Sequence, residues 1–452
     1  MARPYPNEPD QSVLERAMKL ICVLLSFFVF SVMAQEEAKI EEVKDNDILY
    51  KKVKPFVYQV KTSQSAESSK ASYGTGFVVD GEEGLMLTNY HVVSTYIQDE
   101  DDRYKIFVTD KDEVYEAKVL DFSVIFDLAL IQIEKKFKGE LRIRDKAPGR
   151  GETIYSMGLP KDLNISLVEG NYNGVIKSGI YERILMSTPV NSGMSGGPTV
   201  DKWGRVIGAN VSILLNSQNI SFSVPIDKGK DLIESYRKRK APLPRKEYVN
   251  HIKQQLKLIE KELFTSIDEN PGKSNSIGAW QFSAPDKTGK CWSKNDYSEK
   301  RTFKYSRQNC FLQGAAYIDS SIYSGSYEVM YLSLESLTRN RFQFADMVDS
   351  FFNGKDYLKN IYTRFSESNE LTKFSCNEGI ITNKNKLSFR YAYCLNGYVK
   401  YDGHYRMYFK AATLGDKRNA LIVKLKVDGF SKEGMMTFLK KHLDGIQKKE
   451  AM

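Results

Sequence analysis

Asn191-Ser192-Gly193-Met194-Ser195-Gly196-Gly197-Pro198 is the stretch on which the reading of this chain turns. Gly193 stands two residues before Ser195, and Gly196-Gly197-Pro198 follow it, a pattern suited to a nucleophile on a tight loop. A serine hydroxyl is a poor nucleophile at neutral pH. It needs a base, a group that orients the base, and N–H donors aimed at the developing oxyanion. Gly193 and Ser195 are the natural oxyanion-hole donors, because glycine tolerates positive φ and close backbone approach. Gly-Gly-Pro alone also marks an ordinary turn, so the reading depends on partners elsewhere.

The base follows by elimination. The histidines are His91, His251, His404 and His442, and only His91 precedes Arg245. It lies in Leu85-Met86-Leu87-Thr88-Asn89-Tyr90-His91-Val92-Val93, an apolar run that reads as a strand. An unperturbed imidazole, with a pKa of about 6.5, accepts a proton at neutral pH. Asp127 heads Leu128-Ala129-Leu130-Ile131-Gln132-Ile133, a buried-strand pattern, and a carboxylate there can orient a histidine ring. Asp121 is nearby and ranks second. His404 and His442 have no such surroundings and read as structural or surface residues.

With these residues placed, residues 50–230 resemble a trypsin-fold serine protease, most similar to the HtrA/Deg type. The resemblance rests on Gly74-Thr75-Gly76-Phe77, Thr88-Asn89-Tyr90-His91-Val92-Val93, Asp127-Leu128-Ala129-Leu130-Ile131 and Gly193-Met194-Ser195-Gly196-Gly197-Pro198. Val206-Ile207-Gly208-Ala209-Asn210 and Ile220-Ser221-Phe222-Ser223-Val224-Pro225 extend it. It implies an all-β double β-barrel of two six-stranded antiparallel barrels, with a catalytic triad His91, Asp127 and Ser195 in the cleft between them.

Three features depart from the family pattern. Residue 194 is methionine rather than an acid, so activation by burying a newly cut N-terminal amine is not expected. No PDZ-type carboxylate-binding loop is evident. Tyr90 replaces a small or polar neighbour of the histidine. The resemblance places the substrate-binding S1 pocket around Val190, Asn191, Asn210, Val211 and Ser212. No acid stands there to hold Lys or Arg, and a small or medium apolar P1 residue is expected.

The N-terminal apolar core Leu20–Val32 is thirteen residues long, short of the roughly 20 a membrane span needs. Lys19 precedes it, and Val32-Met33-Ala34 makes a cleavage site, so residues 1–34 read as a signal peptide, with Met18 a candidate true start. No transmembrane anchor is expected after cleavage, and the protein is expected in a bacterial periplasm or secreted. The mature chain keeps Cys291, Cys310, Cys376 and Cys394, an even count that suggests two disulfides among three possible pairings. The neighbours Cys291–Cys310 and Cys376–Cys394 close the shorter loops. Zinc is the alternative, but Cys-x-x-Cys is lacking. No metal and no cofactor is expected. Net charge is +9, from 66 basic and 57 acidic groups, with no recognisable nucleic-acid motif, so protein or peptide substrates are expected and nucleic acid is not.

Organisation follows composition. Residues 35–49 form a polar arm, and 50–236 the protease-like region, ending in a helix over Asp227–Tyr236. Residues 237–274 hold a basic linker, Arg237–Lys246, read as a solvated connector, then a helix over Tyr248–Ile267 with Ile252, Leu256, Ile259 and Leu263 on one face. Residues 275–452 read as an α+β domain of no recognised family. Strands are expected at 327–332, 387–393 and 420–427, and helices at 342–352 and 432–446. The leading expectation is an exported serine endopeptidase; the alternative is a protease-fold binding or adaptor protein.

Overall fold

In a computed structural model, residues 46–110, 113–160, 164–178, 181–213, 220–269, 274–283, 289–296, 302–312, 315–353 and 369–449 are described. The expected signal peptide, its Met18 start and most of the polar arm lie outside them. Among the described residues no helix is long and apolar enough to cross a membrane.

The chain divides into two compact units. The smaller joins the N-terminal residues through Pro55 to Lys202–Gly204, and there Lys52 Nζ donates to the Trp203 carbonyl at 2.7 Å. The larger comprises Phe56–Asp201 and Arg205–Met452.

Within the larger unit, the apolar runs of the first half close into two barrels. The first contains β1 (Val57–Ser63), β2 (Ser72–Asp80), β3 (Leu85–Thr88), β4 (Lys105–Asp110), β5 (Glu113–Ser123) and β6 (Leu128–Ile133), in the order β1-β2-β3-β6-β5-β4. The second contains β7 (Thr153–Gly158), β8 (Ser166–Ser178), β9 (Tyr181–Met186), β10 (Pro198–Asp201), β11 (Val206–Ile213) and β12 (Ser221–Pro225), in the order β10-β11-β12-β9-β8-β7. All pairings are antiparallel. β6 is buried on both faces except at Gln132, so its sequence reads as a continuous apolar run.

One expectation needs correction. The run from Leu85 is a strand only to Thr88; α1 (Tyr90–Gln98) then begins, placing His91 in the first turn of a helix. Tyr90, Val92 and Val93 are all fully buried, so the segment lacks the alternation that separates helix from strand.

The terminal helix of the barrel region is α2 (Ile226–Arg239), ended by Lys240 in the left-handed conformation. The basic residues of its last turn and of the exposed segment after it reach the first barrel. Arg239 pairs with Asp121 at 2.9 Å and donates to the Leu120 carbonyl, Arg237 reaches Asp80 at 2.7 Å, and Arg245 reaches Asp102 at 2.7 Å. The expected helix follows as α3 (Tyr248–Glu269).

The C-terminal region has a three-stranded sheet of β13 (Ser274–Ile277), β14 (Trp280–Ser283) and a last short strand, Gln447–Lys448. Its main sheet contains β15 (Gly289–Asp296) and β16 (Phe303–Leu312). After the hairpin β17 (Ala316–Tyr317) and β18 (Tyr323–Ser324) come β19 (Ser326–Ser336), β20 (Ser375–Thr382), β21 (Ser388–Gly397), β22 (His404–Thr413) and β23 (Asn419–Ser431). The seven strands run β15-β16-β19-β23-β22-β21-β20, antiparallel throughout. Alternation decides the two faces. Leu332, Leu334 and Ile422 pack under α4 (Arg341–Asn353), whereas Val329, Tyr331, Val423 and Leu425 join a cluster with α3 and α5 (Lys432–Asp444). That second cluster is continuous with the first barrel: it also holds Val60, Tyr90, Phe122 and Ile131. Disulfides join Cys291 to Cys310 and Cys376 to Cys394, each pair directly opposed in register on neighbouring strands.

Candidate active site

The acid–base pair forms at the top of the first barrel. Asp127 sits in the left-handed region, with φ 57°, in the turn between β5 and β6. This turns its carboxylate onto the start of α1. One oxygen accepts from the His91 backbone N–H at 2.9 Å and the other from His91 Nδ1 at 2.7 Å. Asn89 Nδ2 donates to the Asp127 carbonyl at 2.7 Å, so residues on both sides of the α1 start grip one aspartate. With the Nδ1 proton engaged, Nε2 is the basic nitrogen. The His91 and Asp127 side chains are 30% and 13% exposed, sheltered yet reachable. Burial pulls the His91 pKa down, but the Asp127 charge and hydrogen bond outweigh it, and the net value lies above 6.5. Asp121, the second-ranked acid, pairs instead with Arg239.

The serine comes from the second barrel, on the loop before β10. Two glycines let that loop approach α1. A Cβ on Gly196, at φ 84°, would lie 2.3 Å from the Thr75 carbonyl oxygen and 2.8 Å from the Asn89 nitrogen. A Cβ on Gly74 would meet the Val92 side chain at 2.4 Å and the Ser195 carbonyl oxygen at 3.0 Å. The serine loop is thus pressed against Gly74 and Thr75 of β2 and against Asn89 at the start of α1. The Ser195 hydroxyl donates to the Val211 carbonyl at 3.2 Å, and no hydrogen bond joins it to His91 among the described residues.

The loop conformation depends on Thr75, a residue whose role the sequence does not disclose. Its hydroxyl donates to the Gly193 carbonyl at 2.7 Å and accepts from the Leu159 N–H at 3.0 Å, and its own N–H donates to the Ser195 carbonyl at 2.8 Å. Gly193, at φ 93°, thus points its carbonyl into the protein. Among the described residues, neither the Gly193 nor the Ser195 N–H donates to a protein acceptor, which suits a pair of amides waiting for an oxyanion.

The residues expected around S1 divide. Asn191 is exposed, and the Val211 carbonyl holds Ser195. Val190 is buried in the second barrel's core with Met186, Met194 and Ile207. Asn210 is fully buried, accepting from Thr199 Oγ1 at 2.8 Å and donating to the Met157 carbonyl at 3.1 Å. Those two side chains brace the serine loop from inside and do not line a cleft. The side chain of Ser212 lies outside the described residues. Met194 is fully buried, filling the interior beneath the loop with a thioether.

Two further residues near the pair have no sequence signal. Arg183 on β9 lies within electrostatic reach of Asp127, and burial holds its guanidinium below the ordinary arginine value. Tyr317, from the C-terminal region, stands edge-on to the His91 ring, with centroids 6.3 Å apart.

Comparison with known proteins bears on the same segment. Residues 74–208 match the trypsin-like peptidase domain family. Serine protease HTRA4 of Mus musculus is 32% identical over 200 residues, covering 41% of this chain and 39% of that protein. Serine protease HTRA1 of Xenopus tropicalis is 34% identical over 185 residues, covering 37% of each. Serine protease HTRA1B of Danio rerio is 32% identical over 181 residues, covering 37% of this chain and 36% of that protein. The chain thus spans less than half the length of these curated relatives. The double barrel, from Val57 to Pro225, is a trypsin-like fold, and the matched segment within it is similar to the HtrA serine proteases.

Proposed function

We propose that this protein is an exported serine endopeptidase that cleaves protein substrates through an acyl-enzyme. The observation carrying the proposal is the bidentate grip of Asp127 on His91, at 2.9 and 2.7 Å, beside a serine loop whose two amides have no other described acceptor. Ser195 attacks the scissile carbonyl and His91 Nε2 takes its proton. Asp127 keeps the ring in the right tautomer and stabilises the imidazolium. The Gly193 and Ser195 amides bind the oxyanion. His91 then protonates the leaving amine, and water, activated by the same nitrogen, releases the product. Export is supported by the apolar Leu20–Val32 segment and the two disulfides. A small or medium apolar P1 residue fits the absence of an acid among Asn191, Val211 and Ser212.

A fluorophosphonate probe tests the chemistry. Wild type is labelled and Ser195→Ala is not, and the substitution lowers casein turnover on the order of 10⁴-fold or more. Absence of labelling under all conditions overturns the enzyme reading in favour of a binding protein on a protease frame. Sequencing the mature N-terminus tests export, and retention of Leu20–Val32 refutes it.

A further inference from the structure

The C-terminal region reaches the acid–base pair from two directions. The first runs through α3. Gln255 is buried, and its Oε1 accepts from the Val124 N–H at 2.9 Å, with Ser123 Oγ at 3.3 Å and the Ile125 N–H at 3.4 Å. Its Nε2 and His251 Nε2 both address the Phe122 carbonyl, at 3.4 and 2.9 Å. These groups cap residues 122–125, the turn that delivers Asp127. On α3's far side, Glu260 accepts from Ser431 N–H and Oγ, at 3.0 and 2.7 Å, where the main sheet ends and α5 begins.

The second runs through α1. Tyr90, next to His91, is fully buried, and its hydroxyl donates to the Ile318 carbonyl at 2.8 Å. Gln98, at the other end of α1, donates to the Tyr90 hydroxyl at 3.0 Å and accepts from the Tyr401 hydroxyl at 2.6 Å. Ile318 belongs to the β17–β18 hairpin. Arg406 anchors that hairpin to the sheet, donating to the Ser321 carbonyl at 2.9 Å and to the Asp428 carboxylate. Phe122 lies between the two routes, with ring centroids 5.6 Å from Tyr90 and 5.2 Å from Tyr248 of α3.

We propose that the C-terminal region is a built-in positioning element for the His91–Asp127 pair, with Gln255 setting the Asp127 turn and the Tyr90–Gln98–Tyr401 chain setting the His91 helix. Loss of either route displaces the acid–base pair while leaving the Ser195 loop, braced by Thr75 and Asn210, in place. The inference rests on the protease reading. The charged and titratable groups around the pair are Asp127, Tyr317 from β17 and Arg183 from β9, with Asp121 and His251 behind the turn.

The test uses the full chain, with Gln255→Leu and Gln255→Glu. Both variants give up the long Nε2 contact to the Phe122 carbonyl, which His251 also serves; the leucine variant in addition loses the acceptor for Val124, and the glutamate variant keeps it. Gln255→Leu is expected to lower the casein kcat about tenfold with KM within about twofold, since small misplacements of catalytic groups act on kcat. NMR titration of the His91 ring, assigned with His91→Ala, is expected to show a lower pKa and weakening of the low-field Nδ1–H signal. Gln255→Glu retains kcat within about threefold of wild type. A Gln255→Leu protein with native kcat and native His91 titration overturns the proposal, as does equal impairment of the two variants. Should Gln255→Leu fail to fold, Tyr401→Phe, which deletes one hydroxyl, carries the test with the same signs, and an unchanged His91 signal there overturns it. The NMR readout needs no turnover, so an inactive wild type refutes the protease reading while the positioning claim stands or falls on the His91 signal.

Discussion

Replacing Thr75 by valine probes whether the oxyanion loop is set by one hydroxyl. Valine has nearly the shape of threonine, so the fully buried site stays filled. Two hydrogen bonds go: Oγ1 to the Gly193 carbonyl at 2.7 Å and the Leu159 N–H to Oγ1 at 3.0 Å. Each leaves a buried or half-buried backbone group without its partner, at about 1–3 kcal/mol apiece, or about 2–6 kcal/mol of stability together. The kinetic consequence is separate. With its carbonyl released, Gly193 loses the contact that holds its backbone angles and hence the direction of its own N–H, and an oxyanion site with one donor missing is slower by about 10²–10³ in kcat. Thr75→Ser keeps the hydroxyl and gives up one methyl, at about 1 kcal/mol. Urea unfolding supplies the stability change, and steady-state casein cleavage with fluorophosphonate labelling supplies the kinetic one. The reasoning is refuted if Thr75→Val keeps native kcat, or if Thr75→Ser is as slow as Thr75→Val.

Other expectations follow from the same geometry. The rate should rise with pH as His91 loses its proton, with a midpoint above 6.5 because of Asp127. Asp127→Asn should move that midpoint down and cut kcat by about 10⁴, read from the pH profile of kcat/KM. Burial pushes the pKa of His442 down to about 4, its ring lying 4.3 Å from that of Phe438. The unfolded chain takes up that proton below about 6.5 and the folded chain does not, so stability falls from pH 6.5 to 4 by up to about 3 kcal/mol. His442→Phe should flatten this dependence in urea unfolding at pH 7.5 and 5. Cys291→Ser with Cys310→Ser should cost about 3 kcal/mol, visible as a lower urea midpoint with Ser195 labelling retained at low urea.

The proposed triad residues were legible because their neighbours carry local signals: glycines at forced backbone approaches, and an apolar strand behind Asp127. The α1 boundary was not, because Tyr90, Val92 and Val93 are buried all round and show no period. Thr75, Gln98 and Gln255 were silent for another reason. Their partners lie 118, 303 and 131 residues away, and no spacing rule spans such separations. The basic stretch Arg237–Lys246 is largely exposed, as expected of a solvated connector, and begins as the last turn of α2. Its arginines reach carboxylates and carbonyls of the first barrel, a use of charge that a count of Lys and Arg does not reveal. Tyr90, a departure from the family pattern, is explained by the Ile318 carbonyl it serves.

The two disulfides occupy opposite rims of the seven-stranded sheet, one fastening β15 to β16 and the other β20 to β21. A rim strand that peels away uncovers a fresh row of amides and carbonyls, the template on which foreign chains add strand by strand. β20 carries the exposed side chains of Ile380 and Ile381, so such an added strand would find apolar surface as well. The staples keep that surface from opening into a growing ladder. Beyond the roughly 3 kcal/mol each contributes to folding, they keep both rims of the sheet closed to a second chain.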